Sequence, residues 1–579
     1  MERIDIEVIL KYLKKYWMFA LLAPIFMAGE VTVDLMQPKL MSSIVDDGVI
    51  AGNMSFIMMT GIKMLILALL GAAAGASSGI AASVAAQSFS NDLRKDVFDR
   101  IMHLSFQQTD KFTTGSLITR LTNDITAVQE LVNMMIRMIF RSGIMFVGGI
   151  IMTIMINIKF ALILIVILPV QLIIIMGFLK RVAPLFSKVQ EKLDRVNAVV
   201  QENVSGMRVI KAYVREDYEN ERFGDANLDL MRTNLKVQRL MASLMPIMMI
   251  IMNAAVIAVI YTGGINVQAG SMQVGDIMAS ITYITMILMS MMMVGMMFQT
   301  VTRARASMQR LQAVLDSEPA VQGRDSGEKE TQTGSVVFEN VSFSYPTGSG
   351  ETTLSDINLK INPGEMVAIL GATGSGKSSL VNLIPRFYDA TSGNVYVDGK
   401  NVRDYDPLTL RKKLGVVLQK SELFAGTVSE NISWGKEDAS QEEIENAARF
   451  AQAEEFILKF NNKYDTMIEE KGASLSGGQK QRISIARAII KKPEILIFDD
   501  STSALDLATE ARLQKSIREN LEGTTVIMIA QRVASVMRAD KIVVLDGGTV
   551  SAVGTHDELM ETSSVYRDIY DSQLRREVV

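Results

Sequence analysis

Long apolar runs alternate with charged segments over residues 1–305 of the chain. A helix needs about 20 apolar residues to cross a bilayer. Six segments meet that length: 17–38, 56–86, 129–157, 159–180, 241–264 and 273–298. The two long intervening segments, 87–128 and 181–240, are charged and carry apolar residues at helical spacing. The pattern therefore predicts a membrane α-helical bundle of six long transmembrane helices.

Basic residues crowd the side of the bundle that carries the long loops, as at Lys14, Lys15, Arg94, Lys95 and Arg181. The positive-inside rule places that side in the cytosol. Because six spans bring both chain ends to one side, we expect both termini there as well. The predicted location is a cell membrane, the bacterial cytoplasmic membrane, with a multi-pass topology.

The second half of the chain changes character, with short apolar strands among charged and glycine-rich segments. Residues 316–334 are polar and rich in Gly and Ser, which is typical of a linker. We set the membrane domain at 1–305, the linker at 306–335 and a soluble domain at 336–579, inside the cytosol.

A phosphate-binding loop follows the apolar run 366–370 of that soluble domain. It reads GATGSGKSS, which fits GxxxxGK[ST] between a strand and a helix. Lys377 would reach the β- and γ-phosphates of a nucleotide, and Ser378 would ligate Mg²⁺. The predicted ATP-binding loop is Gly371, Ala372, Thr373, Gly374, Ser375, Gly376, Lys377, Ser378 and Ser379.

Two adjacent carboxylates, Asp499 and Asp500, end the second apolar run, ILIFDD. At the end of a parallel strand, Asp499 would lie on the Mg²⁺ side of the nucleotide. Asp500 would orient or deprotonate the attacking water. The pair predicts ATP hydrolysis with Mg²⁺ as cofactor.

A third motif, LSGGQ, opens a long helical run. Its residues are Leu475, Ser476, Gly477, Gly478 and Gln479. The N–H groups and the positive dipole end of a helix N-terminus favour phosphate. One chain therefore carries two phosphate-binding surfaces about 100 residues apart.

This ordered set of motifs, behind six spans, resembles the exporter half-transporters of the ATP-binding cassette (ABC) family over essentially the whole chain. The resemblance implies an α/β P-loop domain with a helical subdomain. It assigns Tyr345 to adenine stacking, Gln419 to Mg²⁺ and the membrane-domain interface, and Glu470 to cross-talk. It identifies Ser503, Ala504, Leu505 and Asp506 as the D-loop, and segments near 104–117 and 213–223 as coupling helices.

Two positions depart from the family pattern. The family usually has glutamate where this chain has Asp500, and histidine where it has Gln531. Loss of one methylene withdraws the carboxylate by roughly 1.5 Å, and a glutamine cannot become cationic or relay a proton. Only two histidines exist, His103 and His556, and neither lies near Gln531 in the sequence.

In the family, ATP lies between two domains. One domain contributes the Walker motifs, which here are the phosphate loop and ILIFDD, and the other contributes the signature motif, LSGGQ. The departures therefore suggest one subunit of a heterodimer, whose own site binds ATP and hydrolyses it slowly. Its intact LSGGQ would complete the competent site of a partner half-transporter. That partner should carry the glutamate, the histidine and an altered signature.

The substrate is left more open by the sequence. Methionine-rich stretches in spans five and six suit a promiscuous apolar cavity, or simply face lipid. Ionisable residues within spans are further candidates for the substrate pathway: Glu30, Asp34, Arg137 and Arg141. Export of hydrophobic or amphipathic compounds of multidrug type is the leading expectation. Lipid or peptide export, or an ATP-gated channel or regulatory subunit, are the alternatives.

Composition adds two limits to this picture. The chain has no Cys, which excludes disulfides and thiolate metal sites. Its net charge is −4, which argues against a nucleic-acid partner.

Overall fold

The computed structural model describes residues 6–321, 323, 333–345 and 351–577. It divides into two compact units: Met1–Ile101 with Gly115–Asp316, and Met102–Thr114 with Ser317–Val579. Residues 324–332 of the predicted linker lie outside the described residues.

The first unit is entirely helical in its described part. Six of its segments are long and apolar enough to cross a membrane, which makes this a multi-pass membrane protein: Glu7–Ile50, Met54–Met102, Thr114–Ile156, Ile158–Ser205, Glu216–Gln268 and Val274–Leu315. With 42 to 53 residues each, they are about twice as long as a bilayer crossing requires.

These segments are built from the following helices: α1 Ile6–Leu13, α2 Trp17–Ser43, α3 Met54–Met102, α5 Thr114–Thr119, α6 Ile125–Met134, α7 Phe140–Ile156, α8 Ile158–Ser205, α10 Glu216–Gln268 and α11 Val274–Leu315. The short helix α9, Met207–Ala212, lies between the fourth and fifth segments. Short π-helical turns continue α2 through Ile50 and join α5 to α6 and α6 to α7.

Helix α11 continues through residues 306–315, which the sequence assigned to the linker. The cause is packing, because Met308, Leu311 and Val314 are buried at helical spacing. Arg310 also bonds to the buried carboxylate of Asp124 through its Nε, at 2.8 Å.

The two predicted coupling segments are interrupted in the structure. Residues 104–117 contain α4, Phe106–Phe112, and a break at Thr113, whose φ is +53°. Residues 213–223 begin with the turn Tyr213–Arg215, between α9 and α10, where Val214 also has a positive φ. Of these, α4 belongs to the second unit.

The second unit is built on three sheets. A six-stranded sheet has the order β12-β11-β3-β10-β9-β6, a four-stranded antiparallel sheet the order β2-β1-β4-β5, and β7 pairs with β8. The strands are β1 Val336–Phe343, β2 Leu354–Ile361, β3 Met366–Gly371, β4 Ser392–Val397, β5 Lys400–Asn401, β6 Leu414–Val417, β7 Gly426–Thr427, β8 Met467–Ile468, β9 Ile495–Asp499, β10 Thr525–Ile529, β11 Lys541–Asp546 and β12 Thr549–Gly554.

Helices cover both faces of the six-stranded sheet: α12 Lys377–Asn382, α13 Pro407–Lys413, α14 Val428–Ser433, α15 Gln441–Phe450, α16 Glu454–Ile457, α17 Gly477–Ile489, α18 Leu507–Asn520, α19 Val533–Val536, α20 His556–Thr562 and α21 Ser564–Glu577. Alternate residues of β9 enter different cores, with Ile495 and Ile497 in one and Leu496 and Phe498 in the other. The parallel strands β3, β9 and β10 of this sheet are buried on both faces, which explains why they read as continuous apolar runs. The predicted α/β domain behind a six-helix membrane bundle is confirmed.

Candidate functional site

The strand order brings the predicted ATP motifs to one edge of the sheet. Strand β10 lies between β3 and β9 in parallel register, so that Ile529 is level with both Ile369 and Asp499. The phosphate loop therefore begins just beyond β3, Asp499 ends β9, and Gln531 follows β10 by two residues. Ligands of such sheets bind at this carboxyl edge.

The loop Gly371–Ser379 wraps tightly before α12. Gly374 and Gly376 have φ values of +86° and +92°, which residues with a Cβ rarely adopt. Lys377 lies across the loop and donates to the carbonyls of Gly371 and Ala372, both at 2.8 Å. Burial lowers the pKa of Lys377, while the carboxylates of Asp500 and Asp499 act in the opposite direction.

The loop also holds a hydroxyl that fits a phosphate ligand. Ser375 is 5% exposed, and its Oγ has no hydrogen-bond partner in the described part of the chain. A buried hydroxyl without a partner is costly, and a phosphate oxygen would satisfy it. The loop can therefore hold a triphosphate.

Ser378 and Asp499 form the metal side of the site. The Ser378 Oγ donates to Asp499 Oδ1 at 2.6 Å. Burial raises the pKa of Asp499 above its ordinary value, and the bond from Ser378 opposes this. A hydroxyl and a carboxylate are oxygen ligands of the kind that Mg²⁺ prefers, with phosphates completing the shell.

Asp500 lies beside this pair and is held by two side-chain amides. Gln419 Nε2 donates to Asp500 Oδ2 at 3.1 Å, and Gln531 Nε2 donates to the same oxygen at 2.6 Å. The backbone of Asp500 has a φ of +49°, a conformation that is strained for a residue with a side chain. The geometry thus brings together Asp500, Gln419 and Gln531, which the sequence assigned to different parts of the ATP site.

The signature motif opens α17 with a capping box. Ser476 Oγ accepts from Gln479 N, and the Gln479 side chain accepts from Ser476 N. Ser476 and Gly477 are exposed. Glu470, the predicted cross-talk residue, is exposed as well.

The predicted D-loop packs against the start of α17. Gln481 accepts from the Ala504 backbone N–H at 3.2 Å. Ser503 Oγ donates to the Asp500 carbonyl at 3.0 Å, and Asp506 caps α18. This loop therefore links the Asp500 backbone to the base of the signature helix.

Tyr345 lies in an aromatic cluster next to the phosphate loop. Its hydroxyl is 2.9 Å from Ser379 Oγ, and its ring centroid is 5.3 Å from that of Tyr388. Tyr388 in turn donates to Asp110 of α4 at 2.6 Å. Phe106 of the same helix has its ring centroid 4.4 Å from that of Phe387. The helix α4 is thereby joined to the residue predicted to stack on adenine.

The four charged residues predicted for the substrate pathway lie in the other unit, and three of them pair with each other. Arg141 bonds to Glu30 and, at 3.1 Å, to Asp34. The guanidinium of Arg137 packs over Gly79. Glu30 is therefore already partnered by a cation of the chain itself.

Several side chains that contact the site carry no sequence signal. Gln573 of α21 accepts from the Val533 N–H and donates to the Gln531 carbonyl, both at 2.7 Å. Tyr388 and Asp110 are separated by 278 residues. No local motif connects these pairs, and only the fold brings them together.

The chain matches two known protein families, the ABC transporter transmembrane region over residues 20–291 and ABC transporter over residues 354–503. It is 42% identical over 569 residues, 98% of each chain, to the "Uncharacterized ABC transporter ATP-binding protein YfiB" of Bacillus subtilis. It is 36% identical to the "ATP-dependent lipid A-core flippase" of Desulfotalea psychrophila, covering 84% of this chain and 85% of that one.

A solved structure has a similar fold. It is a bacterial Atm1-family ABC exporter with ATP bound, with a TM-score of 0.81 and 25% identity over 97% of this chain and 98% of that one.

Proposed function

The chain belongs to the ABC transporter family and is an ATP-driven exporter half-transporter, with six spans and one ATP-binding domain, and we propose that it is the weakly hydrolytic subunit of a heterodimer. Its own site binds ATP and turns it over slowly. Its signature motif completes a competent site whose Walker motifs belong to the partner.

The observation that carries this proposal is the environment of Asp500. Both Gln419 and Gln531 donate to its Oδ2, so that oxygen is occupied by two amide protons and is poorly placed to accept one from water. The side chain is also one methylene shorter than the family's glutamate. Misplacement by about 1 Å can cost on the order of 100-fold in rate.

The remaining ATP-binding parts support tight binding of nucleotide. ATP would supply the phosphoanhydride bond, and Mg²⁺ would supply the positive charge that polarises it. Ser378 and Asp499 would hold Mg²⁺ with Gln419, and Lys377 would leave the loop carbonyls for the phosphates. Tyr345 would leave Ser379 to stack on adenine.

The signature supports a role in a partner's site. Ser476 and Gly477 present an exposed, capped helix N-terminus, which attracts phosphate. We infer that the partner carries the glutamate, the histidine and an altered signature. We propose that the ATP-binding domain, residues 336–579, and both termini lie in the cytosol of a bacterium.

The proposed substrates are hydrophobic or amphipathic compounds of multidrug type. Pairing of Glu30 with Arg141 argues against recognition of cationic compounds by that carboxylate. Lipid export is the second candidate, because one relative is a lipid A-core flippase.

The test is the ATPase activity of the purified chain in lipid nanodiscs. The wild-type chain alone should hydrolyse ATP slowly and bind it well. The double variant Asp500→Glu with Gln531→His keeps LSGGQ, so two copies could build competent sites, and its turnover should rise at least about tenfold. Brisk ATPase and transport by the wild-type chain alone would contradict the heterodimer.

A further inference from the structure

An apolar cavity lies within the membrane unit, between α7, α8 and α11. Its volume is about 480 Å³, and its lining includes Ser142, Phe146, Leu172, Met176 and Val294. Pockets for drug-sized ligands have volumes of about 300–1,000 Å³. The lining residues fall within 139–179 and 290–295, all inside the spans predicted from the sequence.

One polar group in this lining is unsatisfied. Ser142 is 3% exposed, and its Oγ has no hydrogen-bond partner among the described residues. The other lining hydroxyl, Ser290, donates to the Ile287 carbonyl at 2.8 Å. Because a buried hydroxyl without a partner costs free energy, Ser142 is the group to which a ligand would bond.

The helices around the cavity are held together on both sides of it. Gln171 of α8 donates to the Leu288 carbonyl of α11 at 2.9 Å. Further along α11, a Cβ added to Gly295 would come within 2.9 Å of Ile175, so the helices touch there. The space between these contacts is therefore set by the packing of α8 against α11.

No ionisable side chain lines the cavity in the part of the chain that the structure describes. Arg141, the neighbour of Ser142 in sequence, is engaged by Glu30 and Asp34. A charged ligand would lose its hydration here without gaining a counter-ion. The chemistry of the lining therefore selects an uncharged apolar molecule with one hydrogen-bonding group.

We propose that this cavity is a binding site for an uncharged apolar compound that bonds to Ser142. This inference rests on the proposed function in one respect, because it takes the bound compound to be one of those that the transporter exports. Several lining side chains, such as Leu172 and Met176, are about half exposed, which leaves the cavity open for entry.

Gly143 offers a way to fill the cavity without disturbing the helices. It lines the cavity, and a Cβ added there meets no described atom within 4 Å. Gly264 of α10 is a matched control, because its Cβ position is equally open and it does not line the cavity. Both glycines are exposed.

The experiment measures binding of N-phenyl-1-naphthylamine, an uncharged fluorescent probe with one N–H donor, to the full-length chain in nanodiscs. Empty nanodiscs correct for partition into lipid. The wild-type chain should bind saturably, and Gly143→Leu should weaken binding at least about tenfold by filling the space. Gly264→Leu should bind like the wild type.

Two further variants keep the test independent of one substitution. Val294→Trp fills the cavity from α11 and should weaken binding as Gly143→Leu does. Ser142→Ala removes only the hydrogen bond and should weaken binding about fivefold. Unsaturable binding to the wild type, or wild-type affinity in both filled variants, would overturn the inference.

Transport assays separate this inference from the proposed function. If filling the cavity abolishes binding and the assembled exporter does not move the probe, the site stands and export of such compounds is wrong. If the exporter moves the probe equally well with Gly143→Leu, export stands and the inference is wrong.

Discussion

The side chain of Asp500 is one methylene shorter than the glutamate that the family usually has at this position, so its carboxylate reaches less far. Its Oδ2 is shared by the amides of Gln419 and Gln531, and neither glutamine can take up a proton at neutral pH. The three side chains bind and orient well, but they lack a group that relays protons. Substitutions at this residue should therefore have smaller effects than in a competent site.

Asp500→Asn tests that statement. The amide has nearly the same shape and retains an oxygen for the two donors, so we expect ATP binding to persist. Steady-state turnover of the proposed heterodimer at saturating Mg·ATP should change by less than about threefold, because in that assembly the faster step would occur at the partner's Walker site. Loss of all turnover would instead make this chain's own site the main catalyst.

Gly477→Asp should have the opposite effect. It puts a carboxylate at an exposed helix N-terminus that would face the γ-phosphate, and replaces attraction by like-charge repulsion. Turnover of the heterodimer should fall at least about 100-fold.

The matched control for that change is Gly477→Ala. A Cβ there lies 3.8 Å from the Ala504 side chain, an ordinary contact, so the alanine tests added bulk without charge. Its turnover should stay close to the wild type. If the alanine and aspartate variants lose activity equally, packing and not phosphate repulsion is the cause.

Among single residues, the sequence predicted those that sit in contiguous motifs. Gly371–Ser379 and Leu475–Gln479 are recognisable because a loop and a helix start need particular residue types in a row. Gln573 and Tyr388 could not be predicted, because each contacts the site through a partner distant in the sequence, with no periodic or motif signal to mark it.

At the scale of elements, the last helix α21 holds the loop that carries Gln531. Gln573 bonds to the backbone on both sides of Arg532, at Gln531 and Val533. Gln573→Ala should free the Val533 amide and speed its hydrogen exchange about fivefold to tenfold, equivalent to one lost hydrogen bond.

Ser572→Ala is the control for that measurement. Ser572 Oγ donates only to Ile569 within the same helix, so this variant should leave exchange at Val533 unchanged. Equal acceleration in both variants would mean that α21 frays as a whole and that Gln573 has no separate positioning role.

The helix α4 reaches Tyr345 through Tyr388. Burial and the bond to Asp110 raise the pKa of Tyr388 well above its ordinary value, so the phenol stays protonated and remains a donor at physiological pH. Tyr388→Phe keeps the ring contacts and removes only that bond.

We expect Tyr388→Phe to retain basal ATPase and to reduce the stimulation by transported compounds several-fold. Asp110→Ala, which removes the acceptor, should act in the same way, and the double variant should be no worse than either single change, since both remove one interaction. Additive losses from the two changes would show that the residues act independently.

The ends of elements were harder to predict than their existence. All six spans were found from apolar length, yet each helix continues past the bilayer through charged sequence. Residues 306–315 were included in the predicted linker, whereas the structure extends α11 there by burying every third or fourth residue. Such packing depends on a neighbouring helix that the local sequence does not show.

At the scale of the whole molecule, the two units are interleaved along the chain. Residues Met102–Thr114 belong to the unit that otherwise begins at Ser317. The overall architecture was predictable because length, apolar spans and ordered motifs each point to the same family. The resemblance also predicted a coupling helix near 104–117. Its individual aromatic contacts, such as Phe106 with Phe387, could not be predicted, because they join residues far apart in the sequence.

That interleaving sets an order of events during synthesis. Asp110 leaves the ribosome 278 residues ahead of Tyr388, so the short helix α4 is synthesised well before the domain that receives it. Domains generally fold as units as they emerge. The unit that begins at Ser317, however, is incomplete until the earlier segment Met102–Thr114 docks on it. A fragment expressed from Ser317 onward would therefore present Phe387 and Tyr388 to solvent and be prone to self-association.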